Sequence, residues 1–168
     1  MKKDFDFQKF MLLSTILYLG LLIKIIVFKN GTYYQNNINL TLFSFIKEYQ
    51  YLGITKNLII NVFGNIILFM PLSIILKYYF NFLRNGHIIF IGAFTSVSFE
   101  LIQLATNWGI FDVDDILLNT LGTVLGLLLY YLIKKIRHYK LVIPIILSSF
   151  TTISILSIYS YYPRLIFR

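Results

Sequence analysis

"FDVDDILLNTLGTVLGLLLYYLIKK", residues 111–135, decides the fold class. Between Asp115 and Lys134 stand 18 consecutive uncharged, mostly apolar residues. About 20 such residues carry an α-helix across the hydrocarbon core of a bilayer. The run opens on Asp112, Asp114 and Asp115, although the whole chain has only seven acidic residues. So dense an acidic cluster at the mouth of a membrane helix needs a chemical reason.

Similar runs recur on both sides of this stretch. The chain is 58% hydrophobic and 13% charged, against about 25% charged residues in an ordinary soluble domain. Five spans are expected, at 10–28, 58–80, 87–105, 115–133 and 141–162, which makes an all-α integral membrane helix bundle. Lys24 lies near the end of the first span, where its ammonium can snorkel to the interface. Pro71 and Pro144 fall inside the second and fifth, where neighbouring helices can satisfy the backbone groups that proline frees. The polar start, 1–9, precedes an apolar run without a small-residue cleavage site, so the first helix is expected to be retained. The absence of cysteine excludes disulfides and thiolate chemistry. His87 and His138 lie in separate basic loops, which argues against a histidine metal site. The net charge of +8 sits between apolar runs, so anionic lipid headgroups are the expected partner and nucleic acid is not.

Basic residues also orient the chain. Lys2, Lys3, Lys9, Lys77, Arg84, Lys134, Lys135, Arg137 and Lys140 fall on one side, and the acidic turn on the other. That bias predicts a cytoplasmic N-terminus and an outward turn at 112–115. Lys29, Lys47, Lys56, Arg164 and Arg168 count against it. The outer connection, 30–57, is partly apolar and rich in tyrosine, as an interfacial or re-entrant segment would be.

Polar residues form stripes on the apolar helices. Asn61 and Asn65 are four apart on the second span; Ser96, Glu100 and Gln103 share a face of the third; Asn119 follows Asp115 by one turn. At 1.5 Å per residue, Asn65 lies roughly 12 Å, Glu100 roughly 10 Å and Asn119 roughly 6 Å below the outer ends of their helices. They converge in one half of the membrane, which suggests a polar pocket with the aspartates at its mouth. Plainer roles exist for several of them. Asp112 and Asp114 suit a helix cap, and the asparagines suit interhelical hydrogen bonds worth about 1 kcal/mol each. Gly122 and Gly126 suit close helix packing, and they also offer a face for a homo-oligomer. For Glu100 the plain alternative is a structural, protonated glutamate; the functional reading is preferred, since a charged acid at membrane depth costs roughly 2.5–3.5 kcal/mol and such residues usually mark a function.

Four pieces, "NLTLF" (39–43), "NVFGNIILFMPLS" (61–73), "SVSFELIQ" (96–103) and "FDVDDILLNTLGTVLG" (111–126), resemble in order the motifs of the VanZ-like family. That family takes its name from a membrane protein associated with teicoplanin resistance. The resemblance divides the chain into a first helix and loop start (1–38), a VanZ-like core (39–133), and a basic loop with an extra helix (134–168). It implies roles for Asn65, Glu100, Gln103, Asp112, Asp115 and Asn119, and a function at the cell envelope in tolerance of glycopeptide or lipoglycopeptide antibiotics. Two departures stand out. Leu42 replaces a frequent proline, and Trp108 or Gly109 stands where relatives often carry arginine.

Three kinds of function fit this pattern. The first is an envelope factor that binds or modifies a lipid-linked component or a lipoglycopeptide. Glu100 and Asp115 would be its acid–base groups, and Asn65, Gln103, Asn119 and Asp112 its binding groups. Asp112, Asp114 and Asp115 are candidate ligands for a divalent cation, a hard ion that prefers oxygen. The second is a small proton-coupled transporter or flippase, which the apolar stretches 87–95 and 124–133 disfavour. The third is a non-catalytic assembly partner acting through Gly122 and Gly126.

Overall fold

The computed structural model describes residues 2–27 and 38–161, with side chains for 8–26 and 38–152. Lys29, Arg164, Arg168 and positions 30–37 of the outer connection lie outside the described residues. In chain order the elements are α1 (Lys2–Val27), β1 (Ile38–Asn39), α2 (Ser44–Leu52), α3 (Lys56–Tyr79), α4 (Asn85–Thr106), β2 (Phe111–Asp112), α5 (Val113–Lys134) and α6 (Tyr139–Tyr161).

Among the described residues four helices are long and apolar enough to cross a membrane, at Gln8–Ile26, Lys56–Tyr79, Asn85–Thr106 and Val113–Lys134. The apolar part of α6 among the described residues, Tyr139–Thr152, is shorter. The distribution of polarity is that of a membrane protein. Large apolar side chains such as Phe63, Phe90, Phe94 and Leu128 are exposed, while Glu100, Gln103, Asp114 and Asn119 are fully buried. A soluble monomer rarely shows so much contiguous apolar surface. The protein is an all-α membrane helix bundle.

The chain forms two compact units, Met1–Ile25 with Ile133–Arg168, and Ile26–Leu132. In the first, Tyr18 meets Phe150 edge to face at 6.0 Å between ring centroids. Met11, Ser14, Thr15, Tyr18 and Leu22 make the buried face of α1, and Ile143, Leu147 and Thr151 that of α6. The two hydroxyls on α1 bond back to the carbonyls four residues earlier, Ser14 to Phe10 and Thr15 to Met11, so no polar hydrogen is stranded in lipid.

The second unit holds α3, α4 and α5. Here Gly122 and Gly126 bring α5 against the backbone of α3. A Cβ on Gly122 would run into the Ile66 carbonyl oxygen, and one on Gly126 into the Met70 carbonyl and the Ser73 hydroxyl. Gly92 of α4 receives the side chain of Thr123 in the same way. The glycine pair read as an oligomer face is therefore covered by α3 of its own chain. At the opposite end from the aspartates, Lys77 is buried and donates to the carbonyls of Asn81 (3.3 Å) and Leu83 (2.6 Å). It caps the α3–α4 turn.

The long connection between α1 and α3 contains α2 and the short strand β1. Phe43 precedes α2 with φ 59°, and Gly53 follows it with φ 70°. Phe43 is left-handed and Gly53 takes a positive φ that favours glycine, so the helix is sharply bounded at each end. Strand β1 pairs in parallel with β2, Ile38 opposite Phe111 and Asn39 opposite Asp112. That pairing ties the connection between α1 and α3 to the acidic turn.

Candidate functional site: a buried carboxylate and amide cluster

Helix α4 buries one stripe, Ile88, Gly92, Ser96, Glu100 and Gln103, at spacings of four, four, four and three. Asn107 then takes a left-handed conformation (φ 57°) and ends the helix. The chain turns back through β2 into α5, whose buried positions include Asp114, Asp115, Asn119 and Thr123. This hairpin sets the two polar stripes side by side. Asn119 donates its amide to Ser96 Oγ at 2.9 Å, and the Asp112 backbone N–H donates to Glu100 Oε2 at 2.8 Å. Glu100 thereby holds the entry to α5 while only 1% exposed.

The aspartates face different partners. Asp112 Oδ1 accepts from the Asp114 N–H at 2.8 Å, an N-terminal cap for α5, and Oδ2 accepts from Asn39 Nδ2 at 3.1 Å. Asp114 caps another helix altogether: its Oδ1 accepts from Phe43 N (2.6 Å), and its Oδ2 from Ser44 N (2.6 Å) and Ser44 Oγ (2.7 Å), at the start of α2. Asp115 Oδ1 accepts from Asn65 Nδ2 of α3 at 2.5 Å. Among the described residues no group of three or more histidine, cysteine or acidic side chains is placed to hold a metal ion. The three aspartates accept from separate partners.

Asn65 and Asp115, Glu100 and Asp112, and Asn119 with Ser96 thus form three hydrogen-bonded pairs along α3, α4 and the first part of α5. Gln103 is fully buried but donates instead to the Ile26 carbonyl. A Cβ on Gly109 would lie 2.9 Å from Gln103 Cδ and Oε1, so a larger side chain there would have to displace the amide. Two members escaped the sequence reading, Asn39 and Ser44. The only signal for Asn39 was its place at the head of "NLTLF".

Burial pushes the Asp112 carboxyl above its ordinary value; the bonds from Asp114 and Asn39 oppose that shift, and the charges of Asp115 and Asp114 add to it. A carboxyl with a raised folded-state pKa holds a proton that the unfolded chain has released. Stability therefore falls as pH rises from the ordinary aspartate value through the raised one. Melting of the protein in detergent should show that component on acidification, and Asp112→Asn should remove it, although its amide nitrogen must face one of the two donors and lower the baseline. An identical pH slope in the variant would assign the titration to another group.

A family model described as VanZ/LLP1 matches residues 15–134. The chain belongs to that family. Protein VanZ of Enterococcus faecium is 31% identical over 136 residues, which cover 74% of this chain and 75% of that protein. No solved structure matches. The VanZ/LLP1 match begins inside α1, earlier than the motifs at 39–133 indicate, and it ends with α5. Helix α6 lies beyond it, and the whole polar cluster lies within it.

Proposed function

We propose that this VanZ-like membrane protein acts in tolerance of glycopeptide and lipoglycopeptide antibiotics of the teicoplanin type. It would bind or modify a lipid-linked envelope component through the polar cluster centred on Glu100, with the N-terminus cytoplasmic and the cluster toward the outer leaflet. The observation that carries this reading is Asn119 Oδ1, a buried amide oxygen that no protein donor meets among the described residues. A buried acceptor left unpaired costs about 1–3 kcal/mol, and a donor from a bound polar headgroup would relieve it. Ser96 holds the other end of this amide. Glu100 stands one turn from Ser96, and Asp115 one turn from Asn119, so the two carboxyl groups of the proposed acid–base chemistry adjoin the unmet acceptor.

A transport pathway is less well supported. Thr123 donates to the Asn119 carbonyl at 3.1 Å and fills the space over Gly92, which closes the polar region on the side of the basic loops.

Glu100→Gln keeps an oxygen for the Asp112 N–H but removes the exchangeable proton. At unchanged membrane abundance, cells carrying this variant should fall to the teicoplanin susceptibility of cells without the protein. Full protection at normal abundance would make the ionisable group dispensable and remove this reading.

A further inference from the structure

Helix α2 buries none of its residues, yet it is amphipathic. Phe45, Tyr49 and Leu52, at spacings of four and three, share one face with Ile46 at its edge, while Lys47 and Gln50 lie on the far side from Phe45 and Leu52. Ile46, Tyr49 and Leu52 are 44%, 51% and 69% exposed. We infer that α2 is a membrane-surface helix, its apolar face set into the headgroup–acyl boundary of the leaflet at the acidic end of the bundle, with Asp114 as its anchor.

Chain connectivity argues for this occupant. Only Gly53, Ile54 and Thr55 separate α2 from the first residue of the α3 span, and Thr55 caps that span by accepting from Leu58 N at 3.1 Å. The other end of α2 is bonded to Asp114, the second residue of α5. The contacts of Gly122 with Ile66 and Gly126 with Met70 run α3 and α5 in the same direction. They bring the starts of both spans to one end of the unit within about one turn, roughly 5 Å. Helix α2, about 13 Å long, is therefore tethered at both ends to the level where two spans enter the bilayer. An apolar helix face exposed at that level meets lipid, and the tyrosines suit an interface where one end of a side chain is apolar and the other wet. The inference rests on the membrane fold and stands apart from the antibiotic reading.

The cysteine-free chain permits a direct test on the full protein in lipid nanodiscs. Nitroxide labels are placed singly at Tyr49→Cys, Leu52→Cys, Lys47→Cys and Gln50→Cys, and their collisions with oxygen and with a water-soluble nickel chelate are compared. The oxygen-to-nickel ratio should be several-fold higher at positions 49 and 52 than at 47 and 50. Equal ratios at all four positions would overturn the proposal. So would shielding of 49 and 52 from both reagents, which would mean that protein covers the face. If labelling disturbs the helix, Tyr49→Trp in a Trp108→Phe background gives a second reading. Brominated lipids should quench that tryptophan strongly, and emission indifferent to them would equally overturn the inference.

Discussion

Gly122→Ala should destabilise the protein by about 2–3 kcal/mol, as overpacking against a rigid neighbour does. The same substitution at Gly64 should leave stability unchanged or raise it by up to about 1 kcal/mol, because alanine is the better helix former. Both glycines lie within membrane-spanning helices, but their surroundings differ. A Cβ on Gly122 meets the Ile66 carbonyl oxygen, whereas nothing lies within 4 Å of one on Gly64. Backbone cannot rotate aside as a side chain can, so α3 and α5 would have to separate. Separation would also lengthen the Asn65–Asp115 bond that joins the same two helices. Gly126→Ala should behave like Gly122→Ala, since only one of its two obstacles, the Ser73 hydroxyl, can move. Reversible unfolding in mixed micelles at increasing dodecyl sulfate would measure all three variants. Equal midpoints for the position 64 and position 122 variants would refute the close approach of α3 and α5.

The contrast between these glycines shows what was legible in the sequence. Spans expected at 58–80, 87–105 and 115–133 compare with helices at Lys56–Tyr79, Asn85–Thr106 and Val113–Lys134. Hydrocarbon thickness imposes the length of the apolar run, and that length needs no knowledge of neighbours. Helix α1 starts earlier than position 10 because charged residues can continue a helix after it leaves the apolar layer. The polar stripes were legible for a similar reason, since spacings of three and four place residues on one face whatever lies opposite. What lies opposite was not legible. Small spacing at Gly122 and Gly126 announces a close approach but names no partner, and the partner is α3 of the same chain. Gln103 shares a stripe with Glu100, yet its amide turns to Ile26. The parallel pairing of Ile38 with Phe111 joins residues far apart in sequence, and no local pattern of two residues can announce it.

Asp114 carries the second large effect, because the helix that it caps is α2 and not its own. It lies in the first turn of α5 but accepts from Phe43 N, Ser44 N and Ser44 Oγ, with Phe45 N farther off at 3.4 Å. Both carboxylate oxygens are engaged by N–H groups. Asparagine offers one acceptor and turns an amide donor toward the remaining N–H, so it cannot substitute for the acid. Bonds to a charged acceptor contribute about 1.5–3 kcal/mol each where buried. The α2 start is only partly buried and can regain water, so the net loss should be nearer 2 kcal/mol. That loss is local, because Asp112 still caps α5 and the α3–α5 packing is untouched. Phe43 would also lose the contacts that hold it in the left-handed region, a conformation uncommon for a bulky residue. In both Asp114→Ala and Asp114→Asn, α2 should detach while the spans remain folded. A 2 kcal/mol shift in a local opening equilibrium corresponds to roughly 30-fold faster cleavage after Lys47 by a lysine-specific protease, in the regime where cleavage follows the open population. Global unfolding midpoints should move far less than in Gly122→Ala. If Asp114→Asn leaves cleavage after Lys47 unchanged, the carboxylate does not hold α2, and its burial must serve the start of α5 alone.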